Sequence, residues 1–106
     1  MANDRLAKLE EMQKADPQDP FLIYAIALEY MGKGDFEAAL HHFLRLNAMD
    51  PDYLPQYFQL GQLYEGMNEH SEAAAAYERG ISLAVRQREQ KTLNELRQAL
   101  ELLSED

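Results

Sequence analysis

The sequence predicts an all-α fold, a chain of helix hairpins set in tandem, and three observations carry that expectation. The first is composition: 46% of the 106 residues are hydrophobic, 27% are charged, and only 5 are Gly and 4 Pro. Such a chain is too apolar for disorder and too poor in turn residues for a many-stranded sheet. The second is spacing, because the dipeptide Asp-Pro recurs at Asp16-Pro17 and Asp50-Pro51, 34 positions apart. A fixed interval of that size is the signature of tandem structural units. The third is periodicity, with apolar side chains returning every third or fourth position, as one face of a helix requires.

The chain is one domain's worth of polypeptide, since two independent units would each be smaller than most domains that fold alone. Residues 3–15 place Leu6, Leu9 and Met12 on one stripe and stop at Asp16-Pro17, so 3–17 reads as an N-terminal half-repeat. Residues 20–53 form the first whole unit. Its first helix carries Ile23, Ile26, Ala27 and Tyr30, and its second Phe36, Leu40, Phe43 and Leu44. Between them Gly32-Lys33-Gly34-Asp35 interrupts the pattern, Gly releasing the backbone and Asp35 offering a carboxylate to the next helix's free amides.

Residues 54–87 repeat the unit. A shift of 34 lays Tyr24 on Phe58, Ile26 on Leu60, Ala27 on Gly61, Tyr30 on Tyr64, Gly32 on Gly66, Ala39 on Ala73 and Phe43 on Tyr77. The helices are expected at about 54–66 and 70–85, joined at Gly66-Met67-Asn68-Glu69. Small residues at 27, 39, 61 and 73 let the two helices of each unit cross closely, with Tyr and Phe filling the gaps beside them. At 84–85, where a third Asp-Pro would fall, stand Ala84-Val85, so the period leaves the boundary at 85–90 open. Residues 88–106 then hold a last helix, about 91–103, with Leu93, Leu96, Leu100 and Leu103 on one side. Glu95, Arg97, Gln98 and Glu101 stand on the other, a pattern suited to capping an exposed apolar face.

These residues resemble the tetratricopeptide repeat family, whose 34-residue unit has an aromatic, a Leu, a small residue and an aromatic in its first helix. Ile23, Ile26, Ala27 and Tyr30 take those places, followed by Ala39, Phe43, Leu46 and Pro51 in the second helix. The next unit matches at Tyr57, Leu60, Gly61, Tyr64, Ala73, Tyr77 and Gly80. Departures are Ile23 and Leu46, where Trp or Tyr and a small residue are commoner, and Val85 where Pro is usual. The likeness covers 20–87 closely, 3–17 as a half-unit and 88–106 as a generic cap.

The resemblance implies a right-handed superhelix, an α-solenoid, whose first helices line a concave groove that holds a partner's peptide or helix. Its inward-facing places fall on Phe21, Tyr24, Ala25, Leu28 and Met31 in the first unit, and on Phe58, Gln59, Gln62 and Glu65 in the second. Members that grip the carboxylate of chaperone tails use Lys and Asn at such places. Here Tyr24, Leu28 and Gln59 stand there, which argues against a chaperone-tail clamp. Tyr30 and Tyr64 read as structural, on the face meeting the second helix, with truncation to Ala expected to cost about 3 kcal/mol.

Chemistry other than binding finds little support. The chain has no cysteine, which excludes disulfides and thiolate metal sites. His41 and His42 are sequential and project about 100° apart, no second His follows at i+4, and His70 starts another helix, so no imidazole pair forms a ligand face. Neither a nucleophile–base constellation nor a phosphate loop is present, and the chain is expected to be non-enzymatic, without cofactor or metal.

Ten Lys+Arg against 19 Asp+Glu give a formal charge of -9, which repels nucleic-acid backbones and anionic membranes. Residues 79–97 run against that balance, with Arg79, Arg86, Arg88, Lys91 and Arg97 opposing Glu89 and Glu95. Without interleaved aromatics this stretch reads as solvated helix faces rather than a nucleic-acid surface. No apolar run nears 18 residues and the N-terminus shows no signal peptide, so the expected setting is the cytoplasm. The expected partner is a protein or peptide of apolar or basic character. A second copy, making a homodimer through end or groove faces, is the alternative.

Overall fold

The computed structural model describes residues 4–105, which form six helices and no strand. They are α1 (Asp4–Ala15), α2 (Pro20–Gly32), α3 (Phe36–Met49), α4 (Pro55–Gly66), α5 (His70–Gln87) and α6 (Gln90–Ser104). The chain divides into two compact units, one ending at Tyr53 and the other beginning at Leu54. In the first, α2 packs against α1 and α3; in the second, α5 packs against α4 and α6.

Starts and stops follow from local chemistry. Asp19 caps α2, accepting the Phe21 amide at 2.9 Å, and Pro20 begins the helix where a missing amide donor is harmless. Pro55 uses the same device in α4. Asp35 caps α3 as the sequence predicts, accepting the Ala38 amide at 3.2 Å.

Three turns share one backbone solution. In each, the amide of the residue opening the next helix reaches the carbonyl five positions back: Asp35 to Tyr30 at 3.0 Å, Glu69 to Tyr64 at 2.8 Å and Glu89 to Ala84 at 3.0 Å. In each, the residue before that amide is left-handed, namely Gly34 at φ 79, Asn68 at φ 60 and Arg88 at φ 60. This pairing closes the orphan carbonyls of a helix end. The boundary near 85–90 is thus a tight turn of the same kind. It has no glycine to announce it, and α5 continues to Gln87, past the expected end near 85.

The first unit's core joins Leu6 and Leu9 of α1 to Leu22, Ala25 and Ile26 of α2. Across α2 and α3, Ile23, Ala27, Ala39, Phe43 and Leu46 are fully buried. Arg5 Nε donates to Glu29 Oε2 at 2.9 Å, tying α1 to α2 at the surface. The second core gathers Leu54, Tyr57, Ala73, Tyr77, Leu83, Ala84, Leu93, Leu96 and Ala99.

Glycine sets two close approaches there. A Cβ on Gly61 would overlap the Tyr77 ring, and one on Gly80 would stand 2.7 Å from Tyr57 Cβ and 2.9 Å from Leu96 Cδ1. Real Cβ atoms do not tolerate such distances, so α4, α5 and α6 approach as they do only because these positions lack side chains. Tyr30 and Tyr64 differ from the sequence expectation in degree: both pack on a core but stay half-exposed, whereas the fully buried rings are Phe43 and Tyr77. A half-exposed ring leaves a smaller cavity when truncated, so the cost at either is nearer ~1–2 kcal/mol than ~3.

Candidate partner-binding faces

In the first unit the predicted residues lie along α2 at helical spacing. Phe21 is 54% exposed, while Tyr24, Leu28 and Met31 are half-buried. The Tyr24 ring sits edge-on to Phe43, centroids 6.3 Å apart, and tilted against Tyr53 at 5.4 Å. Tyr24 therefore anchors α2 to α3 and to the turn after it, and only part of its ring meets solvent. The stripe is apolar along its length and bears no charge between Phe21 and Leu28. Ala25 is buried in the α1–α2 core and is not on offer to a partner.

The second unit holds a trough of about 510 Å³ between α4 and α6. Phe58, Gln62 and Glu65 of α4 form one wall, and Glu95, Gln98, Ala99 and Leu102 of α6 form the other. The α4 residues, spaced four and three apart, share a helix face. Behind that wall the buried Tyr77 ring packs against Phe58, centroids 6.2 Å apart. Its hydroxyl accepts the Gln62 Nε2 amide at 2.6 Å and donates to Glu65 Oε2. Burial first, and the bond to the Glu65 carboxylate second, hold the Tyr77 phenol well above the ordinary tyrosine pKa of 10.0, so it stays neutral and donates. That donation fixes Glu65 along the trough, and the bond that the Gln62 amide donates to the same oxygen fixes Gln62.

Three of the four residues predicted on α4 are thus brought together, while half-buried Gln59 does not line the trough. The sequence pattern assigns α6 a capping role alone, and Glu95, Gln98, Ala99 and Leu102 are a wall that it does not predict. A signal for them exists. Leu93, Leu96 and Ala99 stand 36 positions after Tyr57, Leu60 and Leu63, all six are buried, and that offset lays Gln98 on Gln62. At this register α6 repeats the pattern of a first helix.

The imidazoles stand apart from both faces. His42 stacks on Tyr30, centroids 5.3 Å apart, with Nδ1 2.9 Å from the Ala38 carbonyl oxygen, and His41 and His70 are exposed. Among the described residues no group of three His, Asp or Glu is placed to hold a metal ion, and no helix is long and apolar enough to cross a membrane.

A model of the tetratricopeptide repeat matches residues 22–53 and 57–84, one copy in each unit. The chain belongs to the tetratricopeptide repeat family. A tetratricopeptide repeat domain protein from Salinibacter ruber, solved in solution, is 39% identical over 83% of this chain and 89% of its own, with a TM-score of 0.79. A protein from Bordetella parapertussis is 26% identical over 94% of this chain and 87% of its own, at 0.83. The type III secretion chaperone SycD of Yersinia enterocolitica, solved with a peptide of the translocator YopD, is similar in fold at 17% identity. That similarity has a TM-score of 0.87 and spans 97% of this chain and 79% of SycD. Comparison with curated proteins gave no match. In family terms α2–α3 and α4–α5 are the two tetratricopeptide hairpins, and the trough lies between the first helix of the second hairpin and the helix that follows it.

Proposed function

We propose that the chain is a non-catalytic protein-interaction module that holds a segment of a partner protein on the first-helix faces of its hairpins. The organisation we propose behind this reading is a single domain made of a half-repeat at 3–17, repeats at 20–53 and 54–87 and a capping helix at 88–106, of which positions 3 and 106 lie outside the described residues. The observation that carries it is the α4–α6 trough, where Phe58, Gln62 and Glu65 meet an exposed Leu102 around a volume fit for side chains of a bound segment. The apolar stripe of Phe21, Tyr24, Leu28 and Met31 on α2 offers a second contact of the same kind. Fold-level precedent supports it, since SycD was solved with a translocator peptide, though function belongs to sites rather than folds. The cytoplasm is its expected setting.

The test uses exposed positions, so that folding is spared. Phe21→Asp with Leu102→Asp should abolish retention of a partner that the unaltered chain holds, at equal helicity and equal Tm. Retention unchanged by the pair would overturn the reading.

A second reading is self-assembly, motivated by large apolar side chains left exposed on the first and last helices, Met12 at 53% and Leu102 at 59%. Sedimentation over a hundredfold concentration range decides it, a constant monomer mass excluding a homodimer.

A further inference from the structure

The trough's lining has a chemistry of its own, which names the class of segment it takes. Its apolar part comes from Phe58, Ala99 and Leu102, and its charged part from Glu65 and Glu95, one on each wall. Among the described residues no Lys or Arg lines it, although Arg88, Lys91 and Arg97 are close in sequence to the α6 wall. Glu65 is held by the Tyr77 hydroxyl through one carboxylate oxygen, so the charge is fixed at low entropy cost before any partner arrives. Gln62 is likewise oriented by Tyr77, and Gln98 on the facing helix carries a second amide of the kind that pairs with an extended backbone. An acidic segment would be repelled here, and a wholly apolar one would leave both carboxylates desolvated without a counter-charge.

We propose that the α4–α6 trough selects a partner segment in which a lysine or arginine neighbours a large apolar side chain. The apolar group seats on Phe58, Ala99 and Leu102, and the cation lies between Glu65 and Glu95. This rests on the interaction-module reading and sharpens it to one chemical class of occupant. The net charge of -9 adds long-range attraction for the same class, but the selection is local to the two carboxylates.

The experiment titrates the isotope-labelled full chain with a nine-residue amidated peptide of alternating leucine and lysine, and with its leucine–glutamate and leucine–glutamine counterparts. The lysine peptide should shift the amide resonances of Phe58, Gln62, Gln98 and Leu102, and should bind at least about tenfold more tightly than the glutamine peptide. Glu65→Gln with Glu95→Gln should remove that preference, since the amide introduced at position 65 keeps an oxygen for the Tyr77 hydroxyl and the fold is preserved. Glu95→Gln alone, on a side chain with no packing duty, should weaken the lysine peptide about threefold. Glu37→Gln with Glu78→Gln, which removes the same charge from exposed positions outside the trough, should change binding less than about twofold.

Equal weakening by both double variants reduces the effect to net charge and overturns the proposal. So does equal affinity for the glutamate peptide. Shifts confined to Phe21 and Leu28 would overturn it too, while leaving the interaction reading intact on α2. A partner whose retention is indifferent to Phe21→Asp with Leu102→Asp defeats both.

Discussion

The two hairpins are copies at a 34-residue offset, yet they solve the packing of the central ring differently. In α2–α3 the ring is Phe43, the small residue that heads the same pairing is Ala27, and both are fully buried. In α4–α5 the ring is Tyr77 and the small residue is Gly61, over which the ring lies too closely to admit a methyl group. The positions around the ring change with it. Gln62 and Glu65, which engage the Tyr77 hydroxyl, stand 34 positions after Leu28 and Met31. A buried hydroxyl needs a donor and an acceptor, and a phenyl ring needs neither. The Tyr77 hydroxyl is thus matched by Gln62 and Glu65 on α4, where the equivalent positions of α2, in the unit whose ring is Phe43, are the apolar Leu28 and Met31. The lesson is that the surface chemistry of a repeat is coupled to the identity of its buried ring.

Variants can break or sharpen this comparison. The largest effect belongs to the rings themselves: Phe43→Ala and Tyr77→Ala should each cost about 3–5 kcal/mol, most of the stability of so small a chain, in urea unfolding followed by helicity. Next is Gly61→Ala, expected to cost about 2–3 kcal/mol, because the added Cβ would overlap the Tyr77 ring. Adding Tyr77→Phe to it should recover part of that loss, since a ring freed from Gln62 and Glu65 can shift to make room. If the double variant is no more stable than Gly61→Ala, the hydroxyl tether does not fix the ring.

The reciprocal swap is asymmetric. Phe43→Tyr places a hydroxyl where the equivalent neighbours are Leu28 and Met31, and should cost about 2 kcal/mol, whereas Tyr77→Phe should cost about 1 kcal/mol. The pH dependence follows from the same bond. With the folded pKa of Tyr77 raised above 10.0, its contribution is complete below pH 10 and is lost as pH rises beyond that value. The unaltered chain should therefore lose stability above pH 10 more steeply than Tyr77→Phe, in thermal melts between pH 8 and pH 11. Smallest is Arg88→Gly, which relieves a left-handed non-glycine residue at φ 60 and should add about 0.5–1 kcal/mol to the Tm-derived stability. Gly34 and Asn68 already suit that backbone at the equivalent places, so the α5–α6 turn is the strained member of the three.

The hairpins were legible because their residues obey two periods at once, helical spacing within an element and 34 between copies. Asp35 as a cap and the burial of Ala27, Ala39 and Phe43 follow from counting positions, whereas Phe58, Gln62 and Glu65 on one face are what the resemblance to the tetratricopeptide repeat implies. The α6 wall was not legible, because α5 runs to Gln87 and shifts the following pattern to an offset of 36, out of register with the 34-residue period. The α5–α6 turn was hidden for a related reason. Arg88 gives no chemical hint of a left-handed backbone, which is seen only in the folded chain, in its φ of 60 and in the Glu89–Ala84 hydrogen bond.

By itself the sequence determined that this chain is helical, that it is built of repeated hairpins and which side chains share a face of each helix, since spacing fixes that; how deeply each is buried it did not determine, and Met12 and Leu44 of the apolar stripes stay exposed. Tertiary structure alone decided which face borders which. That Glu95 and Leu102 look across at Glu65 and Phe58, and that Tyr77 reaches out to hold the acidic wall, depends on where α5 ends and how closely glycine lets its neighbours approach. Those are distances in space, and no period along the chain encodes them.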